Sequence, residues 1–270
     1  MSDYIQVNFE CDKEKREILI ALLSEHDFEG FEEENNLLKA YVSKKSFNTG
    51  IVSKISAENN VIYDIIEIAD ANWNKIWESN FQPVIIKNFV AVRADFHSSI
   101  KNVSHEIIIN PKMSFGTGHH ETTYMMMEQM AGIDFRNNTI LDFGTGTGIL
   151  SILAEKLGAA KVLAIDNDDL SIENATENFT INNCSKIQLD RSSLPPSGIL
   201  FDIILANLTK NIIKENFDLL AEQIKRDGVI LLSGLLVTDV DDILQAAEKY
   251  SLKMNNQTRK NDWVSLRLSY

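Results

Sequence analysis

Three glycines on alternate positions, framed by two acids, are the residues of this chain whose types and spacing point most clearly to chemistry. The glycines are Gly144, Gly146 and Gly148. They follow the apolar run 140–143, which contains Asp142, and a second apolar run, 162–165, ends at Asp166. Glycines let a backbone approach a ligand closely, and the helix that follows offers free N–H groups at its N-terminus. An acid about 20 residues beyond such a turn suits ribose hydroxyls, so the unit predicts a nucleoside-binding site.

The spacing of the glycines separates two classes of nucleoside-binding turn. Dinucleotide-dependent enzymes carry G-x-G-x-x-G, whereas this chain carries G-x-G-x-G with an acid two residues ahead. The second pattern resembles the turn of class I S-adenosylmethionine (SAM) methyltransferases, which holds the amino-acid end of SAM and binds no pyrophosphate. Glycine-rich turns also occur without any function. The position of Asp166 is what favours a cofactor here.

Composition and charge bound the class of protein. The chain has 270 residues, 44% apolar and 24% charged, which is ordinary for a globular protein and long enough for two domains. A net charge of -13 argues against direct binding to bare nucleic acid, which needs a basic surface. It favours a basic partner, or serves only solubility. Cys11 and Cys184 match no metal or redox spacing. We therefore expect a cytoplasmic monomer without a bound metal, a signal region or a membrane span.

The first 69 residues predict a small separate domain. Alternating apolar residues indicate strands at 4–10, 28–34, 37–42 and 61–68, and helical spacing indicates helices at 13–26 and 47–57. The order β-α-β-β-α-β is that of a ferredoxin-like domain. Trp73, Trp77 and Phe81 then recur at four-residue steps before Pro83, which predicts a linker helix over 70–83.

Residues 84–270 predict a mostly parallel, doubly wound α/β sheet, because strand and helix patterns alternate. The predicted strands include 140–143, 162–166, 187–190, 201–208 and 229–232, with helices at 170–179, 212–225 and 240–250 and a closing antiparallel pair at 252–258 and 263–269. Ligands of such sheets lie beyond the carboxyl ends of the strands. The residues expected there are Gly144, Asp166, Asp190 and Asn207.

A second loop precedes this sheet. Residues 110–118 are marked by glycine and proline, and a helix opens at His119 and His120. Adjacent histidines cannot share a helix face, so a metal pair is not expected. Thr122 and Thr123 either offer hydroxyls to a ligand or cap the helix.

Three stretches resemble the bacterial ribosomal protein methyltransferases of the PrmA family, which modify the large-subunit protein L11. They are Asn72-Trp73…Trp77…Phe81…Pro83, the sequence F-G-T-G-H-H-E-T-T at 115–123, and D-F-G-x-G-x-G-I-L at 142–150 followed by L-G-A-A-K at 157–161 and Asp166. The resemblance covers residues 70–240 well. Residues 110–112, Thr145 and Leu208 depart from the residues that are common in the family at those positions.

The resemblance implies a substrate-recognition domain, a hinge-like linker and a class I methyltransferase domain. By matched position, Thr123, Gly144, Asp166 and Asn207 contact SAM or line its pocket. Gly146 belongs to the same turn, and Asp190 is a candidate for the adenine amine. Asn207 lies where amine methyltransferases place a carbonyl acceptor for the substrate N–H, and the Phe115 loop helps to align the amine. His120 either accepts a proton or supports the loop.

The implied function is SAM-dependent methylation of amino groups of a basic ribosomal protein, L11, at lysine side chains and/or the N-terminal amine. The sulfonium of SAM is a strong methyl donor, so the protein supplies binding and orientation. A SAM-dependent enzyme acting on another protein or a small amine is the alternative. An adenine-modifying enzyme is disfavoured, because 207–210 lacks a proline–aromatic clamp. A nicotinamide-dependent oxidoreductase is disfavoured by the glycine spacing, and a non-catalytic SAM-binding protein stays open.

Overall fold

The computed structural model describes residues 4–24, 26–34, 36–67, 82–110 and 118–270. The chain divides into two compact units, Met1–Phe81 and Gln82–Tyr270. The helix predicted over 70–83 lies outside the described residues except for its last two positions. The predicted site residue Phe115 also lies outside them. None of the helices among the described residues is long and apolar enough to cross a membrane.

The first unit has the predicted ferredoxin-like order of elements. Its four-stranded antiparallel sheet has the order β2-β3-β1-β4, and its elements are β1 (Tyr4–Glu10), α1 (Lys13–Ser24), β2 (Phe28–Glu34), β3 (Leu37–Ser43), α2 (Thr49–Asn59) and β4 (Ile62–Glu67). Ile5, Val7 and Phe9 alternate along β1 and are buried in one core. Helix α2 starts two residues later than predicted, because the Asn48 side chain caps it by accepting the Gly50 N–H at 2.9 Å.

The second unit contains the remaining elements. A three-stranded sheet is formed by β5 (Val84–Ile86), β6 (Val90–Arg93) and β7 (His105–Ile108). The strands of a seven-stranded sheet are β8 (Thr139–Phe143), β9 (Lys161–Asp166), β10 (Ile187–Arg191), β11 (Phe201–Asn207), β12 (Ile224–Leu236), β13 (Lys253–Lys260) and β14 (Trp263–Ser269). The helices are α3 (Glu121–Met130), α4 (Ile149–Lys156), α5 (Asp169–Ile181), α6 (Lys210–Gln223) and α7 (Val240–Glu248), with a 3-10 turn at Val237–Asp239.

The seven-stranded sheet has the order β10-β9-β8-β11-β12-β14-β13. The first five strands in this order run parallel, and β14 pairs antiparallel with both of its neighbours. Ile140 faces the core beneath α3, α4 and α5, whereas Leu141 faces the core beneath α6 and α7. Apolar side chains on both faces explain why the inner strands are continuous apolar runs in the sequence. The predicted doubly wound α/β fold is therefore confirmed.

One predicted boundary is wrong. The helical pattern predicted α6 through residue 225 and a strand over 229–232, but α6 ends at Gln223 and β12 begins at Ile224. Ile224 pairs with Phe201 of β11, and both side chains are buried. Strand pairing and burial override the helical periodicity at this point.

Candidate active site

The predicted ligand-binding edge is built where the strand order reverses. Successive strands lead from β8 to β9 on one side, while β11 adjoins β8 on the other side. The carboxyl ends of these three strands carry Gly144, Asp166 and Asn207. Parallel sheets place their ligands at this kind of crevice.

The glycine turn is held against β9 by its own backbone. The N–H groups of Gly144 and Thr145 both donate to the Ile165 carbonyl at 2.9 Å. Gly144 has φ +75°, and a Cβ there would overlap the Leu208 side chain. Only glycine combines this left-handed backbone with so close a neighbour. The turn therefore brings its peptide groups to the edge of the cavity without a side chain in the way.

Asp166 is partly hydrogen-bonded by the protein and partly open to the cavity. One carboxylate oxygen accepts the Gly146 N–H at 2.8 Å, and the other accepts the Asp168 N–H at 3.1 Å. Each oxygen of an ionised carboxylate has about two acceptor positions. Both oxygens therefore retain capacity for a ligand hydroxyl, in an orientation that the two backbone donors fix.

Asn207 has its amide oriented by a neighbouring helix. Its Nδ2 donates to the hydroxyl of Thr123 on α3 at 3.1 Å. Its Oδ1 is buried and has no hydrogen-bond partner within the described ranges. The residue that caps α6 is Thr209, so the Asn207 amide is not used as the helix cap. An unsatisfied buried acceptor is costly, which makes Asn207 Oδ1 a candidate for a ligand N–H.

His120 caps α3 and packs on an aromatic ring. Its Nδ1 accepts the Thr122 N–H and lies 2.8 Å from the Thr122 hydroxyl. Its ring meets Trp263 of β14 edge-on, with centroids 5.0 Å apart. The contact brings the turn end of the hairpin formed by β13 and β14 to the wall of the cavity.

These elements enclose a cavity of about 310 Å³. Of the predicted residues, it is lined by His120, Gly144, Gly146, Asp166 and Asn207. The sequence did not predict its apolar wall, which consists of Leu208, Ile212, Gly234 and Trp263. It is also lined by the hydroxyl residues Thr122, Ser171 and Thr209. A single cavity is thus lined by the carboxylate residue Asp166, by Asn207 and by an apolar wall.

Two predicted residues are placed differently. The carboxylate of Asp190 on β10 accepts from the Gln188 side chain at 2.9 and 3.1 Å, and Asp190 does not line the cavity. Thr123 is 1% exposed and reaches the site through its bond to Asn207, while its neighbour Thr122 faces the cavity. Within the part of the chain that the structure describes, no group of three metal-ligating side chains occurs.

Asp142 is a charged residue of the site whose environment the sequence did not predict. It is 1% exposed, and its Oδ2 accepts from the hydroxyls of Thr145 at 2.7 Å and Ser151 at 2.6 Å. Burial raises the pKa of the Asp142 carboxyl to about 6, although both hydrogen bonds oppose the increase. A carboxylate held between two hydroxyls supports the turn from below.

The chain is similar in sequence and in fold to known proteins. A family model described as ribosomal protein L11 methyltransferase (PrmA) matches residues 3–269. A ribosomal protein L11 methyltransferase of Porphyromonas gingivalis is 38% identical, over 94% of this chain and 90% of that protein. One from Bacteroides thetaiotaomicron is 34% identical over 96% of both chains. The crystal structure of a ribosomal protein L11 methylase from Lactobacillus delbrueckii subsp. bulgaricus aligns with a TM-score of 0.64 at 30% identity, covering 70% of this chain and 98% of that one.

Proposed function

Because the chain belongs to the ribosomal protein L11 methyltransferase (PrmA) family, we propose that it transfers methyl groups from SAM to amino groups of ribosomal protein L11. The acceptors are lysine side chains and/or the N-terminal amine. The observation that carries this chemistry is that Asn207, whose Oδ1 is buried and has no partner among the described residues, lines the same cavity as Asp166. The reaction takes place in the cytoplasm, and a monomer suffices because all these residues belong to one chain.

The residues of the cavity fit SAM. The volume of the cavity, about 310 Å³, lies at the lower end of the range for small-molecule sites, roughly 300–1,000 Å³. Asp166 offers an oriented carboxylate to the two hydroxyls of a ribose. Gly144 and Gly146 line the cavity and offer backbone groups to the amino-acid end. Asp190 lies outside this cavity on β10, the strand next to Asp166, and stays a proposed contact for the amine of an adenine that extends beyond the cavity.

The side chains supply orientation and desolvation. SAM, when bound, supplies an activated methyl group on a sulfonium. Asn207 Oδ1 accepts an N–H from the substrate amine, and this bond directs the nitrogen lone pair away from Asn207. The Thr123 hydroxyl accepts from Asn207 Nδ2, which leaves Oδ1 as the amide atom available to a substrate N–H. Such alignment of reacting groups would lower the barrier to a transfer in which the amine gains the methyl group as the sulfonium loses it, without a covalent intermediate on the protein.

The apolar wall favours the neutral amine. A lysine side chain has a pKa of about 10.4 in water and must lose a proton before it attacks. Leu208 and Ile212 have aliphatic side chains, which offer no hydrogen bonds to an ammonium. Desolvation lowers the pKa of an amine, so the wall promotes deprotonation as the substrate enters. We propose that His120 supports this wall through its contact with Trp263, or accepts the released proton.

We further propose that residues 1–69 recognise the protein substrate, residues 70–83 link the domains and residues 84–270 carry the catalytic site. The first unit has its own core, and the glycine turn, Asp166 and Asn207 all belong to the second unit. The net charge of -13 complements a basic substrate such as a ribosomal protein.

Label transfer tests the function directly. The full chain is incubated with SAM labelled on its methyl group and with purified L11, and peptide mass mapping then locates the label. We expect label on L11 lysines and/or its N-terminal amine, and none on a mixture of other ribosomal proteins. Free lysine and small amines serve as the controls for the alternative substrate class. Label that appears on those amines but not on L11 would overturn the proposal.

A further inference from the structure

Asp142 places a buried carboxylate directly beneath the glycine turn, and the proposed methyl transfer gives it no role. Its Oδ2 accepts from two hydroxyls that belong to different elements, since Thr145 lies in the turn and Ser151 lies on α4. Both donors are themselves buried, Thr145 being 5% exposed and Ser151 fully covered. A carboxylate with this degree of burial needs such donors, because an unpaired buried charge is strongly destabilising.

Thr145 is held both by its side chain and by its backbone. Its hydroxyl reaches Asp142 on β8, and its N–H donates to the Ile165 carbonyl on β9 at 2.9 Å. The next N–H along the chain, that of Gly146, donates to Asp166 at 2.8 Å. The glycines on either side of Thr145 have φ values of +75° and +54° and impose little conformational preference themselves. The peptide between Thr145 and Gly146 is held at its carbonyl by the Gly148 N–H at 2.9 Å, and at the Thr145 side chain by the Asp142 carboxylate.

We propose that Thr145 is a positioning residue for the cofactor: its hydroxyl, bound to the buried Asp142 carboxylate, fixes the Gly146 N–H, which in turn orients Asp166 toward the ribose hydroxyls. The inference rests on the proposed function, because it needs a ribose-containing cofactor at Asp166. Thr145 does not line the cavity, so its effect on the cofactor is transmitted through the turn. Ser151 binds the same oxygen of Asp142 from the helix side and lies outside the turn. The two hydroxyls lie 3.3 Å from each other, and only that of Thr145 belongs to the turn whose next N–H binds Asp166.

This arrangement makes cofactor affinity depend on the charge of Asp142. The residues beside Asp142 on the adjacent strands, Ala164 and Leu205, are uncharged. Helix α4 contributes the hydroxyl of Ser151. Asp166 is the charged group whose repulsion also raises the pKa of Asp142. Burial raises the pKa of the Asp142 carboxyl to about 6. Below that pH the carboxyl becomes neutral and is a weaker acceptor for the Thr145 hydroxyl. The affinity for SAM should therefore fall as the pH falls through 6.

The test measures SAM dissociation constants by calorimetry between pH 5.5 and 8, with the full chain and no substrate. Thr145→Val keeps the shape and removes the donor, and we expect its SAM affinity at pH 8 to be about tenfold lower, near the lower end of the effect of a hydrogen bond to a charged group. Thr145→Ser keeps the donor and should bind within twofold of the parent. The parent loses affinity below pH 6 more steeply than Thr145→Val, in which His120 and Asp166 of the cavity are unchanged.

Ser151→Ala is the matched control, because it removes the other hydroxyl from the same carboxylate. We expect it to lower the melting temperature of the SAM-free protein and to leave SAM affinity within twofold. The inference is overturned if Thr145→Val binds SAM like the parent, or if Ser151→Ala weakens SAM binding equally. Should the valine variant not fold, Thr145→Cys takes its place, since a thiol is a weak donor of similar size. A parent chain that binds no SAM at all would instead overturn the proposed function.

Discussion

Replacing Asp142 with asparagine removes a buried negative charge while preserving the shape of the side chain, and its effect on stability should depend on pH. Burial raises the pKa of the Asp142 carboxyl from 3.8 to about 6 in the folded protein. The folded state therefore binds this proton more tightly than the unfolded state does. By linkage, the free energy of unfolding rises as the pH falls through 6, and the increase is complete near the unfolded pKa of 3.8.

The size of the effect follows from these two pKa values. The difference between 3.8 and about 6 corresponds to about 3 kcal/mol. Above pH 6 the dependence is flat because the carboxyl is ionised in both states. Between pH 7 and pH 5, only the interval below pH 6 contributes, so the free energy of unfolding of the parent should rise by about 1 kcal/mol relative to that of Asp142→Asn.

Urea unfolding followed by tryptophan fluorescence measures this difference. The chain has three tryptophans. Replacing Trp73 and Trp77 with phenylalanine leaves Trp263, which reports on the second unit alone. Subtracting the curve of Asp142→Asn at each pH removes the contribution of the other titrating groups. A difference that is constant from pH 7 to pH 5, or one that grows as the pH rises, would refute the assignment of a buried, raised-pKa carboxylate at this position.

Three further predictions concern the glycine turn, Asp166 as the proposed ribose-binding carboxylate, and the first unit. Gly144→Ala should lower the melting temperature, because φ +75° costs a non-glycine residue about 1–2 kcal/mol and the new Cβ overlaps Leu208. Adding Leu208→Ala should restore only the part of the melting temperature that is lost to this overlap. Asp166→Ala should weaken SAM binding by about 1.5–3 kcal/mol for each charge-assisted hydrogen bond lost, and calorimetry that finds unchanged affinity in a folded variant contradicts its role. Deleting residues 1–69 should leave SAM affinity within a few fold and abolish L11 methylation; full-rate methylation by the shortened chain would disprove the division of roles.

The part of the site that follows from the order of the strands could be predicted from the sequence. Gly144, Asp166 and Asn207 each end an apolar run, and the carboxyl ends of parallel strands meet at one edge. Asp190 also ends an apolar run, but its strand is at the edge of the sheet, where the carboxylate binds Gln188 and does not reach the cavity. The distance of each strand from β8 and β11, where the strand order reverses, distinguishes Asp190 from the other three residues. The local sequence does not encode this distance.

The part that depends on contacts between distant segments could not be predicted. Trp263 starts the last strand and forms a wall of the cavity because the C-terminal hairpin packs beside His120. Nothing in the pattern around residue 263 distinguishes it from an ordinary strand residue. Thr122 and Thr123 are likewise equivalent in the sequence, and the rotation of α3 decides that the first faces the cavity and the second binds Asn207.

The rate of a single turnover in Asn207→Ala tests the central claim most directly, since that claim assigns the orphan Oδ1 of Asn207 to the substrate amine. Labelled SAM is pre-bound to the full chain, L11 is added in excess, and methyl transfer is followed over time. Asn255→Ala, on exposed β13, is the matched control and should react at the parent rate. We expect Asn207→Ala to react on the order of a hundredfold more slowly, the effect of misplacing a reacting group, with SAM affinity and melting temperature little changed. A variant that transfers the methyl group at the parent rate would contradict the account.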